Sequence, residues 1–137
     1  MELLEPARLG DLEKVKRLIQ QHVRVNAMNC NHQTALFLAC ESGHTEVVQY
    51  LLDSGASVDL GAKPLIAAVR NNHYDCVKLL LQHNADISCK NTKRKSPMSV
   101  ALQHRHYSII LLLLQYGDIT SSSLCDMAIE LLKHAKV

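Results

Sequence analysis

The 137-residue chain is long enough for one domain with its own core, and with 47% apolar and 20% charged residues it does not have the composition of a disordered protein. A net charge of +2 argues against a dedicated polyanion binder, although residues 1–68 carry 6 Lys/Arg against 8 Asp/Glu and residues 69–137 carry 9 against 5. The apolar run "IILLLL" at 109–114 is far too short for a membrane span, and "MELLEPARLG" lacks the basic-then-apolar pattern of a secretory signal.

In chain order, a short first helix tolerates Pro6 only in its first turn, with Leu3 and Leu4 placed to cover the end of the fold. "TALFLACES" follows as a helix with Thr34 as N-cap and Gly43 as breaker. "TEVVQYLLDSG" then puts Val47, Val48, Leu51 and Leu52 on one helical face and stops at Gly55. After the polar stretch "ASVDLGA" comes "KPLIAA", with Pro64 in the first helical position and Asn72 as breaker. The next helix ends at Asn84 and leads through "ADISCKNTKRK" to Ser96, an N-cap ahead of Pro97. A further helix stops at Gly117. Finally, "SSSLCDMAIELLKHAKV" carries Leu124, Met127, Ala128, Leu131, Leu132 and Ala135 as one apolar stripe, with N-cap choices at Ser121–Ser123. It reads as a capping helix; the alternatives are the start of another domain or a helix that docks on a partner.

These elements repeat. An apolar pair recurs as Leu18-Ile19, Leu51-Leu52, Leu80-Leu81 and Leu113-Leu114, in steps of 33, 29 and 33 residues. "TALFLA", "KPLIAA" and "SPMSVA" keep the same register, as do "GH" at 43–44, "NH" at 72–73 and "RH" at 105–106. One such helix pair cannot cover its own apolar face, so the pairs are expected to stack into a continuous core.

The pattern resembles the ankyrin repeat. The stretch "NCNHQTALFLACESGHTEVVQYLLDSGASVD" is similar to the family's repeat from its turn to its closing loop. Residues 63–88 and 96–118 resemble it well, and residues 6–29 resemble the second half of a unit. The resemblance implies an all-α solenoid of stacked helix-turn-helix units with short hairpin fingers. The expected divisions are 1–28, 29–61, 62–90, 91–120 and a C-terminal capping helix at 121–137. The chain departs from the family where His32 and Arg94 replace the loop glycine. It departs again where Phe37, Ile66 and Ser99 replace the histidine of the first helix. The 29-residue step leaves the finger before Lys63 four residues short, which predicts a notch in the row of fingers.

The chemistry-bearing residues read mostly as structure. Ser42, His44 and Glu46 stand close together, but a catalytic histidine would not recur at His73 and His106, and no oxyanion loop accompanies them. The resemblance implies that all three histidines make hydrogen bonds between repeats. His22, His83 and His134 fall at helix ends, where a donor suits the terminal carbonyls. Of five cysteines, Cys40 and Cys76 are expected in the core, and Cys30 and Cys89 near the surface. None forms a metal-binding pair, which points to reduced thiols and a cytoplasmic or nuclear setting. Ser96-Pro97 has the look of a proline-directed phosphosite. Asn26 resembles the asparagine that a cellular hydroxylase modifies in this family, although Arg24 departs from the pattern.

Taken together, these readings predict a non-enzymatic protein-binding module, expected to be monomeric, with no cofactor, metal, nucleic acid or membrane partner. The alternatives are a recognition domain of a larger regulatory protein and, remotely, an enzyme using Ser42 and His44. By register, the resemblance implies contacts from Asn31, Gln33, Phe37, Glu41 and Ser42, from Arg70 and Asn71, and from Thr92, Lys93, Arg94, Lys95, Gln103 and His104. The run Lys90, Lys93, Arg94, Lys95 is read as a solvated loop tip, as a docking patch for an acidic segment, or as a nuclear-import or nucleic-acid contact.

Overall fold

In the computed structural model, which describes residues 3–116, the chain forms eight helices of six to ten residues and no strand among the described residues. Helices this short are marginal in water on their own, so their stability comes from packing. They alternate as inner and outer members of four pairs: α1 (Leu4–Leu9) with α2 (Leu12–Gln20), α3 (Ala35–Ser42) with α4 (Thr45–Asp53), α5 (Pro64–Arg70) with α6 (Tyr74–Gln82), and α7 (Pro97–His104) with α8 (Tyr107–Tyr116). The first pair is complete, whereas the sequence pattern shows only its second half.

Packing runs in two rows. The inner row is α1 on α3, α3 on α5 and α5 on α7, and the outer row is α2, α4, α6 and α8 in the same order. The middle inner helices, α3 and α5, are squeezed between two inner neighbours and their own outer helix. All six residues of Ala35–Cys40 and all six of Pro64–Val69 are therefore buried, and these helices are apolar all round over that stretch. The outer helices bury one stripe only, with Val48, Val77 and Ile110 in equivalent positions and fully covered.

Local chemistry sets the helix ends. Thr34 Oγ1 accepts from Phe37 N at 3.1 Å and Ser96 Oγ from Ser99 N at 3.2 Å, each occupying an orphan first-turn donor. Pro64 and Pro97 begin their helices, where the missing N–H costs nothing. The breaks after the inner helices use left-handed backbone at Gly10, Gly43, Asn72 and Arg105. Leu3 and Leu4 are buried against the first pair. The capping helix read at 121–137, along with Gly117, Cys125 and His134, lies outside the described residues.

Two of the fingers are tight turns closed by asparagine rather than strand hairpins. Asn29 Oδ1 accepts from Asn31 N and Gln33 N, and Asn29 N donates to Gln33 O at 3.1 Å. Asn91 repeats the arrangement with Lys93 N, Lys95 N and Lys95 O. His32 and Arg94, which replace the family's glycine, take up the left-handed conformation at φ 59° and 60°. Between these fingers the short segment Asp59–Lys63 builds no such turn. It lies flat instead, with Ala62 N donating to His32 O at 2.8 Å.

Candidate partner-binding groove

The space left by the short segment is a groove of about 660 Å³. Gly61–Lys63 form one side, and Lys90–Lys93 with Lys95, from the finger of the fourth pair, form the other. The floor comes from three successive inner helices, through Phe37, Ile66 and Val100. Arg70, Gln103 and His104 close one end, at the C-terminal ends of α5 and α7. The lining thus holds the cations Lys63, Arg70, Lys90, Lys93 and Lys95, and no carboxylate among the described residues lines it.

Two of these cations, and the ring of His104, are held in place. Lys95 Nζ donates to Gln103 Oε1 at 2.7 Å, tying the finger to its own inner helix. Lys63 Nζ donates to Asp59 O at 3.1 Å. His104 stacks on His106, with centroids 5.6 Å apart and planes 11° from parallel.

Seven of the residues expected to meet a partner line this groove: Phe37, Arg70, Thr92, Lys93, Lys95, Gln103 and His104. Asn31, Gln33, Glu41, Ser42, Asn71 and Arg94 do not line it, and Asn71 Nδ2 folds back on Ala67 O at 2.9 Å. Phe37 needs a correction. Expected at an exposed position, it is only 7% exposed, because α3 is packed between α1 and α5. Lys90 belongs to the basic run, one reading of which is a docking patch, whereas Lys63, Ile66 and Val100 are groove residues absent from the expected set. The shortened step was their sequence signal, since it lies between Lys63 and the preceding pair.

The recurring histidines lie away from the groove floor, at the joints between pairs. The Nε2–H of His44 donates to Arg8 O at 3.0 Å, that of His73 to Glu41 O at 3.1 Å and that of His106 to Arg70 O at 3.2 Å. The rings of His44 and His73 rest directly over Gly10 and Gly43. His83 Nδ1 donates to Leu79 O at 2.9 Å near the end of α6. Asn26 is a further clamp: its side chain accepts from Ser57 N at 2.8 Å and donates to Gly55 O at 3.4 Å. Asp59 Oδ1 takes Asp86 N one pair later.

Cys40, Cys76 and Cys89 are buried, and burial pushes each thiol up, Cys89 to about 11. The expectation that Cys89 is exposed is overturned: Cys89 N turns back onto Asp86 O and the side chain joins the core at 8% exposure. Cys30 is exposed. No three His, Cys, Asp or Glu side chains among the described residues stand together as metal ligands would. Nor is any described helix long and apolar enough to cross a membrane.

Stacked helix pairs joined by histidine-to-carbonyl bonds, with two turn-built fingers, define a helical repeat solenoid. The family model of ankyrin repeats (3 copies) matches residues 3–91 and 59–123, and the chain belongs to the ankyrin repeat family. It is 32% identical over 100 residues to the inactive serine/threonine-protein kinase TEX14 of Bos taurus, a match spanning 70% of this chain and 7% of that protein. It is 36% identical over 99 residues to ankyrin repeat and SOCS box protein 11 of Danio rerio, spanning 70% and 34%. To 26S proteasome non-ATPase regulatory subunit 10 of Dictyostelium discoideum it is 36% identical over 91 residues, spanning 62% and 39%. The chain therefore covers well under half the length of each of these relatives. Ankyrin repeats are protein-interaction modules, generally without enzymatic activity, and this chain is such a module.

Proposed function

We propose that the chain is a non-enzymatic adaptor that holds a protein partner along its fingers and inner-helix ends, and that the part of the partner meeting the third and fourth pairs is acidic. One observation carries this reading: among the described residues five cations line the groove and no carboxylate does. A rigid face of this kind loses little conformational entropy on binding. The contacts extend to Asn31, Gln33, Glu41, Ser42 and Asn71 beside the groove, and to Arg94 at the finger tip. We place the protein in the cytoplasm or nucleus, on the support of the free thiols among the described residues.

Charge reversal tests the acidic partner. In the K90E/K93E/R94E/K95E variant, recovery of the partner from cell extract should fall by about tenfold or more with thermal stability preserved. Unchanged recovery would sink the proposal. A second reading, a recognition domain inside a larger regulatory protein, is favoured by relatives much longer than the matched stretch. The length of the native polypeptide on an immunoblot decides between the two.

A further inference from the structure

The groove is more than a patch of charge. The finger that would fill it is missing: Asp59 to Lys63 has three intervening residues where Asn26 to Thr34, its counterpart, has seven. Ala62 N is tied back to His32 O, and Gly61–Lys63 form one side of the open groove. The floor beneath is apolar. Phe37 and Ile66 occupy the inner-helix position where the family resemblance expects histidine, and Val100 continues the floor on α7.

We propose that the place of the missing finger is a peptide-docking groove, taking an extended acidic segment of the partner that carries one apolar anchor. The anchor rests on the small apolar area that Phe37, Val100 and Ile66 leave uncovered, at 7%, 4% and 1% exposure, while flanking carboxylates pair with Arg70 and Lys93. This rests on the acidic-partner reading above and adds to it a location and a sequence requirement. An apolar floor walled by cations and free of carboxylates favours such a peptide. A groove made for single-stranded nucleic acid would present free aromatic faces for base stacking, whereas here Phe37 is buried and the exposed His104 ring is already stacked on His106.

A random peptide library displayed on phage is panned on the chain, and the enriched peptides are measured by fluorescence anisotropy. Enriched peptides should combine Asp or Glu with a leucine- or phenylalanine-like residue between them. Two variants fill the groove without altering its charge. One replaces Leu60–Ala62 with a copy of residues 27–33, restoring the full finger, with serine in place of the cysteine that corresponds to Cys30. The other, A62W, adds bulk at the groove edge and serves if the graft fails to fold. Each folded variant should weaken the peptides by about tenfold or more, the scale of losing an anchor pocket. The docking groove is overturned if the folded variants bind as tightly as wild type. In that case the acidic-partner reading still stands provided K90E/K93E/R94E/K95E abolishes binding, and it falls as well if that variant also binds. The inference is likewise overturned if no peptide is enriched, if enriched peptides lack either the acidic or the apolar element, or if a single-stranded oligonucleotide displaces them at equal concentration.

Discussion

Gly43 does two jobs at one Cα. Its φ of +79° is in the left-handed region, and the His73 ring lies so close that a Cβ there would meet ring atoms at 2.6 Å. Gly55, at φ +93°, has open space around it. Gly43→Ala and Gly55→Ala therefore share the backbone penalty of about 1–2 kcal/mol, and only the first also displaces the ring from Glu41 O. Thermal melts should show G43A as the more destabilised of the two. Equal losses would mean that the His73 joint contributes nothing. The thiols make a separate residue-level prediction. A buried thiol whose proton is held more tightly in the folded chain stabilises it fully at pH below the ordinary value near 9, and the benefit fades as pH rises through the folded value. Cys89, held at about 11, together with Cys40 and Cys76, which shift the same way, should make denaturant stability decline above pH 9. In a C125S background, Ellman's reagent at pH 8 should titrate Cys30 quickly and the other three only on unfolding.

At the scale of the element, the inner helices end by a rule that one of them breaks. α1 and α3 end on glycine with positive φ, α5 is followed by Asn72, but α7 ends on Arg105 at φ 56°. An L-residue other than Asn or Gly pays for that conformation, so Arg105→Gly should raise the melting temperature by the equivalent of about 0.5–1 kcal/mol. A lower melting temperature would show that the arginine side chain contributes more than its backbone costs. Much of the helix layout was legible here, because caps and breakers are local. Thr34, Ser96, Pro64 and Pro97 marked their helix starts, and Gly43, Asn72, Gly55 and Asn84 their ends. What was not legible is how much of an inner helix is covered. The stripe in "TALFLAC" shows that the segment is apolar but gives no hint that neighbours close on it from three sides. Phe37 was accordingly expected at the surface.

For the molecule as a whole, substantial contacts among the described residues join only adjacent pairs, so stability should behave as a sum of units and interfaces. Val15 and Val48 hold the same register, 33 residues apart, and both are fully buried. Replacing either with alanine removes about 1–3 kcal/mol of packing, but the consequences should differ. By hydrogen exchange, V15A should loosen α1 and α2 while leaving α5–α8 near wild type, and V48A should raise exchange across the stack. A uniform effect of V15A would show that the described repeats unfold as one cooperative unit. The same nearest-neighbour logic divides what could be read beforehand from what could not. By itself the sequence determined the repeat, its two-helix unit, its caps and the place of the missing finger, because each depends on residue types a few positions apart or on a counted period. Only the tertiary structure decided that this gap joins Lys63 and Arg70 to Lys90, Lys93 and Lys95 over one apolar floor, and that Phe37 and Cys89 turn inward. These outcomes depend on how closely one pair seats against the next, a distance set by side-chain packing between units that no spacing along the chain encodes.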